Sequence, residues 1–248
     1  MHYQEYQRIG KIRNTYFWYR AMDEMTVSLV EKYVETKKRG GLQILDAGSE
    51  IGDFTEKLRL FGETIGIDIN KLALKFAKKE KNVMFFQQDV CRMKFVNDRF
   101  DLVTCLDVLY HKGIRDDMKA LSEIRRVLKP HGYLLIRVPA LESLRGSHDT
   151  VVATRKRYSI RELRERVERA GFKIIILSYA NMTLAVPLLV KRIFERVVKK
   201  KDISDLKKLP SLSDSLFYLL MRAENLFVIR GVRLPFGSSL VCLARKIK

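Results

Sequence analysis

Cysteine is rare in this chain, proline is sparse, and long apolar runs are missing. The three cysteines, Cys91, Cys105 and Cys242, lie far apart, with no Cys-x-x-Cys pair and no nearby His-x-His. That excludes a disulfide framework and a structural zinc site, so no metal is expected, and it fits a reducing compartment. The first twenty residues are polar and aromatic, without the apolar centre of a signal peptide. The longest apolar stretch, Met182–Val190, stops at Lys191-Arg192 and is too short to span a bilayer. A soluble, cytoplasmic protein is expected, with at most a peripheral place at a membrane.

Apolar residues make up 47% of the 248, enough for a full core. Basic residues outnumber acidic ones by 48 to 29, a net charge of +19. The excess is local: residues 151–201 alone carry 14 basic against 4 acidic side chains. Such a stripe points to an anionic partner, a membrane surface or RNA, or equally to a solubilising Lys/Arg-rich surface. The stripe has few interleaved aromatics beyond Tyr158, which weakens the RNA alternative.

The periodicity predicts a first helix over Tyr16–Thr36, then strands at 42–46, 64–68, 83–86, 100–105 and 133–138. Helices over 53–61, 71–79 and 116–128 alternate with them. Strand and helix at this pace mean a doubly wound α/β fold, a Rossmann-like and mostly parallel sheet with helices on both faces. Beyond Pro139 the rhythm changes. A charged helix over 159–170 starts with Ser159 and Glu162 spaced as a capping box, and a sixth strand follows over 172–179. A helical insertion before the last strand, split near Pro210, precedes a seventh strand over 239–244. The chain thus divides into an N-terminal helix (1–40), a cofactor-binding core (41–140) and a helical cap (181–235) within one domain. On the first cap helix Val186, Leu189, Val190, Ile193, Phe194 and Val197 make an apolar face, expected to pack on the sheet, with Lys191, Arg192, Arg196 and Lys199–Lys201 beside it.

The sharpest motif is Ile44-Leu-Asp-Ala-Gly-Ser-Glu-Ile-Gly52, a buried strand entering a glycine-containing turn and then a helix. Gly48 and Gly52 let the backbone turn tightly and approach a ligand. Asp68 ends the next strand, where a carboxylate can accept from ribose hydroxyls. Asp46 precedes the turn and can hold an ammonium, and Asp89 follows the third strand, within reach of an adenine amino group. An amino-acid head, a ribose and an adenine together describe S-adenosylmethionine better than a dinucleotide.

In order along the chain, Leu45-Asp-Ala-Gly48 with Gly52, Gly66-Ile-Asp-Ile69, Gln88-Asp89-Val90, Leu106-Asp-Val-Leu-Tyr-His111 and Val127-Leu-Lys-Pro-His-Gly132 resemble the class I S-adenosylmethionine-dependent methyltransferases. The segments Arg137-Val-Pro-Ala140, Ser147-His148-Asp149 and Arg155-Lys-Arg-Tyr158 are similar to a largely uncharacterised bacterial and archaeal subgroup. The resemblance implies S-adenosylmethionine as cofactor, held by Asp46, Gly48, Ser49, Glu50, Gly52, Asp68, Ile69, Asp89, Val90 and Leu106. It implies methyl transfer to an O or N nucleophile of a small-molecule or lipid-linked acceptor, with Tyr110, Arg137 and Tyr158 binding the substrate, and leaves room for a homodimer. His111 is the first candidate base, and His148, oriented by Asp149, the second. Asp107 reads as a helix cap and Cys105 as core. No Asn/Asp-Pro-Pro-Tyr/Phe motif follows the fourth strand and no Pro-Cys pair is present, which disfavours amino methylation of DNA and cytosine C5 chemistry. One departure stands out: the pattern's middle glycine is Glu50, whose carboxylate can reach the cofactor ammonium but would repel its carboxylate. An RNA methyltransferase and a non-catalytic, cofactor-binding scaffold are the competing readings.

Overall fold

The computed structural model describes residues 10, 12, 13, 15–36, 39–77, 83–198 and 210–248, with side chains omitted over 195–198. Of the cap residues named above, Lys199–Lys201 and the side chains of Arg196 and Val197 lie outside the described residues, as do Lys78 and Lys79 of the expected 71–79 helix.

The first helix, α1 (Phe17–Tyr33), buries Ala21, Met22, Met25, Leu29 and Val30 at helical spacing. Four apolar strands then alternate with short helices: β1 (Leu42–Ala47), α2 (Asp53–Leu58), β2 (Gly62–Asp68), α3 (Lys71–Phe76), β3 (Val83–Gln87) and β4 (Phe100–Leu106). The helix α4 (Asp117–Val127) begins where the Asp116 carboxylate accepts from the amides of Met118 and Lys119. β5 (Leu128–Pro139) begins at once, earlier than expected: Leu128 precedes Lys129-Pro130, is fully buried and pairs with Phe100 across a register shift. Pro130 disfavours the helical conformation at Lys129, the residue before it, so the helix cannot continue through 129 and the chain is already extended at Leu128.

After β5 come a short helix α5 (Ser147–Val151), which the sequence pattern does not reveal, α6 (Ile160–Arg169) and β6 (Phe172–Ala180). The Ser159 hydroxyl does accept from the Glu162 amide at 3.1 Å. The Glu162 carboxylate, however, faces Lys156 and Arg166, so the reciprocal half of the capping box is replaced by ion pairs. Two cap helices, α7 (Met182–Val198) and α8 (Ser211–Ile229), lead to β7 (Ser239–Lys246).

The seven strands form one sheet in the order β3-β2-β1-β4-β5-β7-β6. All pairs are parallel except those of β7, which runs antiparallel to both β5 and β6. The chain winds outward from β1 to β3, then crosses back to β4. The crevice at the carboxyl ends of β1 and β4 is the place where an open sheet of this kind takes a ligand. Buried side chains of α1, the central strands, α4 and α6 make one continuous core.

The cap corrects one expectation. Val186, Val190, Ile193 and Phe194 are 54–63% exposed, so the apolar face of α7 points outward. Arg192, expected among the exposed charges, is 2% exposed, with Nε donating to the Leu144 carbonyl at 3.1 Å. The opposite face of α7 turns inward because α8 fixes its start: both Glu224 oxygens accept from the Met182 and Thr183 amides, at 2.7 and 2.8 Å. α8 in turn docks on α1, where Asn225 donates to the Ala21 carbonyl, Asp214 accepts the Phe17 amide, and Phe17 and Phe217 pack with ring centroids 5.4 Å apart.

Candidate active site

A cavity of about 640 Å³ opens at the carboxyl ends of the central strands, walled by α1 on one side and α7 on the other. On the β1–β3 side the turn after β1 is held by the Gly48 and Ser49 amides, which donate to the Ile67 carbonyl at 2.7 and 2.9 Å. Gly48 has φ 94°, and a Cβ there would lie 2.1 Å from Val108 Cγ2. Gly52, at φ 84°, would place a Cβ 2.6 Å from the Phe85 ring. Glycine at these two sites therefore serves close packing against Val108 and Phe85, and Gly52 is not among the lining residues.

Asp46 lies at the floor, 3% exposed, with each carboxylate oxygen 2.7 Å from a hydroxyl, those of Thr55 and Thr104. Burial pushes its pKa up despite those two bonds. Asp68 accepts from the amides of Asn70 and Glu50 at 2.7 and 3.1 Å, one on each oxygen, and burial raises it too. Asp89 and Val90 line the far end beyond β3, beside the exposed Ile69, and Leu106 closes the β4 side. The Ser49 hydroxyl is buried, lines the cavity and has no hydrogen-bond partner.

Glu50 has φ 50°, a conformation glycine adopts freely. Its carboxylate lines the cavity and accepts from Arg13 at 3.1 Å. Arg13, 8% exposed, is stacked over Tyr19 and also faces Asp23 and Asp53. Burial pushes Glu50 up to about 7, against the lowering effect of Arg13.

A family model described as a methyltransferase domain matches residues 45–136. An uncharacterised protein of Methanocaldococcus jannaschii is 33% identical over 168 residues, covering 66% of this chain and 68% of that one. The ubiquinone/menaquinone biosynthesis C-methyltransferase of Escherichia coli O1:K1 is 34% identical over 125 residues, 45% of this chain. That match spans about half of the enzyme's own length, 49%. Among solved structures, an S-adenosylmethionine-dependent methyltransferase of Thermotoga maritima superposes with a TM-score of 0.61 over 98% of this chain and 95% of its own, at 16% identity. The chain belongs to the S-adenosylmethionine-dependent methyltransferases.

The cavity of this methyltransferase fits its cofactor. The orphaned Ser49 hydroxyl and the carboxylates of Asp46, Asp68 and Asp89 are spread along β1–β3, as an amino-acid head, a ribose and an adenine would need.

The other half lies around β4 and β5. His111 lines it, and its Nδ1 accepts the Gly113 amide at 3.1 Å. Burial lowers its pKa, so the ring is neutral near pH 7 and carries its proton on Nε2. To act as a base at Nε2 it must exchange tautomers and release the Gly113 amide. His148 also lines the cavity, next to Asp149, whose two oxygens accept from Arg157 at 2.9 and 3.1 Å while one also takes the Gly146 amide. Tyr110 and Arg137 line the same region. Asp107 is not a helix cap; it has φ 59° and pairs with Arg137 at 2.6 Å.

Tyr158, expected to bind substrate, is fully buried away from the cavity and donates to Asp117 at 2.6 Å. Around that same Asp117 gather Arg155, Lys156 and Arg166, while Arg161 and Arg164 pair with Glu165 and Glu168. Most of the 155–169 stripe is thus spent on ion pairs within the fold. Cys105 is fully buried, as a core residue should be.

Sequence reasoning missed Arg13, Trp18, Asp107, Arg157, Arg192 and Phe217 as lining residues. The aromatic cluster of the first helix was the one available signal, for Trp18. The others reach the site through packing between segments far apart in sequence.

Proposed function

We propose that this methyltransferase transfers a methyl group from S-adenosylmethionine to an O or N nucleophile of a small-molecule or lipid-linked acceptor, seated between β4, β5 and α7. The cofactor supplies a methyl already activated on a sulfonium. The chain must hold it in line with the nucleophile and manage the nucleophile's proton. Asp46, Ser49, Asp68, Asp89, Val90 and Leu106 hold the donor, Glu50 with Arg13 shields its amino-acid end, and His111 faces the nucleophile. The observation that carries this reading is the His111 imidazole, which lines the same cavity as the three donor-side carboxylates. Base action costs the Gly113 hydrogen bond, about 1 kcal/mol, which is small against the barrier at stake. His148 is the reserve.

Two variants separate the halves. Asp68→Ala should weaken S-adenosylmethionine binding by about 2 kcal/mol, roughly thirtyfold. His111→Ala should retain the cofactor and lose about a hundredfold in turnover, measured as labelled methyl transferred to a metabolite extract. Full turnover in the second variant moves the proton to His148, or means that the acceptor passes its proton to solvent without a protein base.

A second reading concerns where the acceptor resides. The outward apolar stripes of α7 and α8, beside Lys191, support delivery from an anionic membrane surface. A homodimer contact is the other cover for those stripes.

A further inference from the structure

We infer that the acceptor carries a compact anionic group, a carboxylate or a phosphate, and that Arg137 receives it. This rests on the methyl-transfer reading above and adds the chemical class of the acceptor.

Arg137 sits near the carboxyl end of β5 and is 3% exposed. Its guanidinium is only partly satisfied. Nε and Nη2 go to Asp107, at 2.8 and 2.6 Å, and the Trp18 ring lies over Cζ at 4.9 Å. Nη1 has no acceptor and no contact with bulk water. A buried N–H on a charged group left this way costs more than a neutral one, and the natural remedy is an acceptor supplied from outside the chain. Arg137 lines the cavity, so the acceptor molecule can supply it.

The surroundings select charge as well as hydrogen bonding. Among the described residues, Arg137, Arg157, Lys191 and Arg192 line this end beside the carboxylates of Asp107 and Asp149, with Glu50 next to Asp107. Arg192 is itself buried and rests on Gly146, where a Cβ would lie 2.3 Å from its Nε. A guanidinium presents paired donors to carboxylate and phosphate alike, which is why both belong to the proposal. Around them Phe17, Trp18, Leu184 and Phe217 form an apolar wall for the body of the molecule.

The donor's own carboxylate is the rival occupant. Asp46, Asp68 and Asp89 mark the donor side at β1 to β3, whereas Arg137 is on β5, with β4 between it and β1. Two strand spacings, about 10 Å, separate Arg137 from β1.

The test is calorimetric titration of the full chain, saturated with S-adenosylhomocysteine, using octyl phosphate, octanoate, octanol and inorganic phosphate as probes. At least one of the two octyl anions should bind about tenfold or more tighter than octanol, the scale of one charge-assisted hydrogen bond. The stronger of the two assigns phosphate or carboxylate. Inorganic phosphate binding as well as octyl phosphate would mark a free anion as the ligand, and a large gap would mark a tail-bearing one. Arg137→Met should erase the advantage over octanol. Arg137→Lys keeps the charge beside Asp107 while removing the open Nη1, so it should lose most of the advantage and remain folded, with S-adenosylhomocysteine affinity unchanged in both variants. Anions binding no better than octanol to the loaded wild type would overturn the proposal. So would a parallel loss of S-adenosylhomocysteine affinity in both variants, which would assign Arg137 to the donor. Wild-type protein that fails to bind S-adenosylhomocysteine at all would remove the methyl-transfer reading underneath, a result distinct from either.

Discussion

Glu50 joins two costs at one residue. Its backbone holds the left-handed conformation at φ 50°, about 1 kcal/mol above what glycine would need, and its half-buried carboxylate lies near those of Asp68 and Asp107. The folded state holds its proton up to about pH 7, whereas the ordinary value is 4.5. Between those limits the folded chain binds a proton that the unfolded chain has released. The associated stability is therefore complete below about pH 4.5 and is lost as pH rises through 7. Glu50→Gln has no such titration. Its stability relative to wild type should climb by on the order of 3 kcal/mol between pH 4 and pH 8, measured by denaturant unfolding of both chains in the same buffers. A difference that stays flat across that range would place Glu50 outside the buried cluster. The donor carboxylates were legible because each lies at or just beyond the end of a strand, and the strands read as short continuous apolar runs whose ends the sequence marks. Arg13 was not, because its partners Asp23, Glu50 and Asp53 come from three other segments and no local pattern links them.

Among the elements, α7 shows how tertiary context overrides an amphipathic pattern. Its apolar stripe reads as a core face, yet the packing is decided by Glu224 on α8, which is 6% exposed and takes both amides and the Thr183 hydroxyl at the start of α7. A carboxylate there also opposes the positive end of the helix. Glu224→Ala should cost about 2 kcal/mol, and Glu224→Gln, which retains an acceptor, clearly less. Equal losses in urea titrations would mean that side-chain volume, and not the hydrogen bonds, holds the two cap helices together. By contrast, the core strands were legible almost residue by residue, since strands buried on both faces read as continuous apolar runs. The antiparallel course of β7 was not, because a strand's sequence carries no mark of its direction.

For the molecule as a whole, the cap leaves two apolar stripes uncovered. On α8 Leu212, Leu216, Leu219 and Leu220 follow helical spacing and are 42–86% exposed, alongside the outward residues of α7. Exposed apolar surface on this scale marks a binding face. No helix among the described residues is long and apolar enough to cross a membrane. The expected outcome is co-sedimentation with anionic vesicles at low salt, reduced about tenfold or more by Phe194→Asp with Leu216→Asp, since both apolar burial and charge contribute to interfacial binding. Vesicle binding unaffected by that pair, or concentration-dependent dimerisation that the pair abolishes, would assign the stripes to another cover. The 155–169 charges should matter little, given their ion pairs with Asp117, Glu162, Glu165 and Glu168.

The placement of β7 has a kinetic consequence. It lies between β5 and β6, so β6 has no strand to pair with until β7 arrives, and Asn181 meets Ser239 only across a separation of 58 residues. The entropy of closing that long loop must be met before either flank of β7 gains a hydrogen bond. The parallel half of the sheet can assemble from nearer neighbours while β5 stands with one edge bare. During that interval a second chain's β7 fits the gap as well as the chain's own. Strand exchange between copies is thus a misfolding route that this topology leaves open.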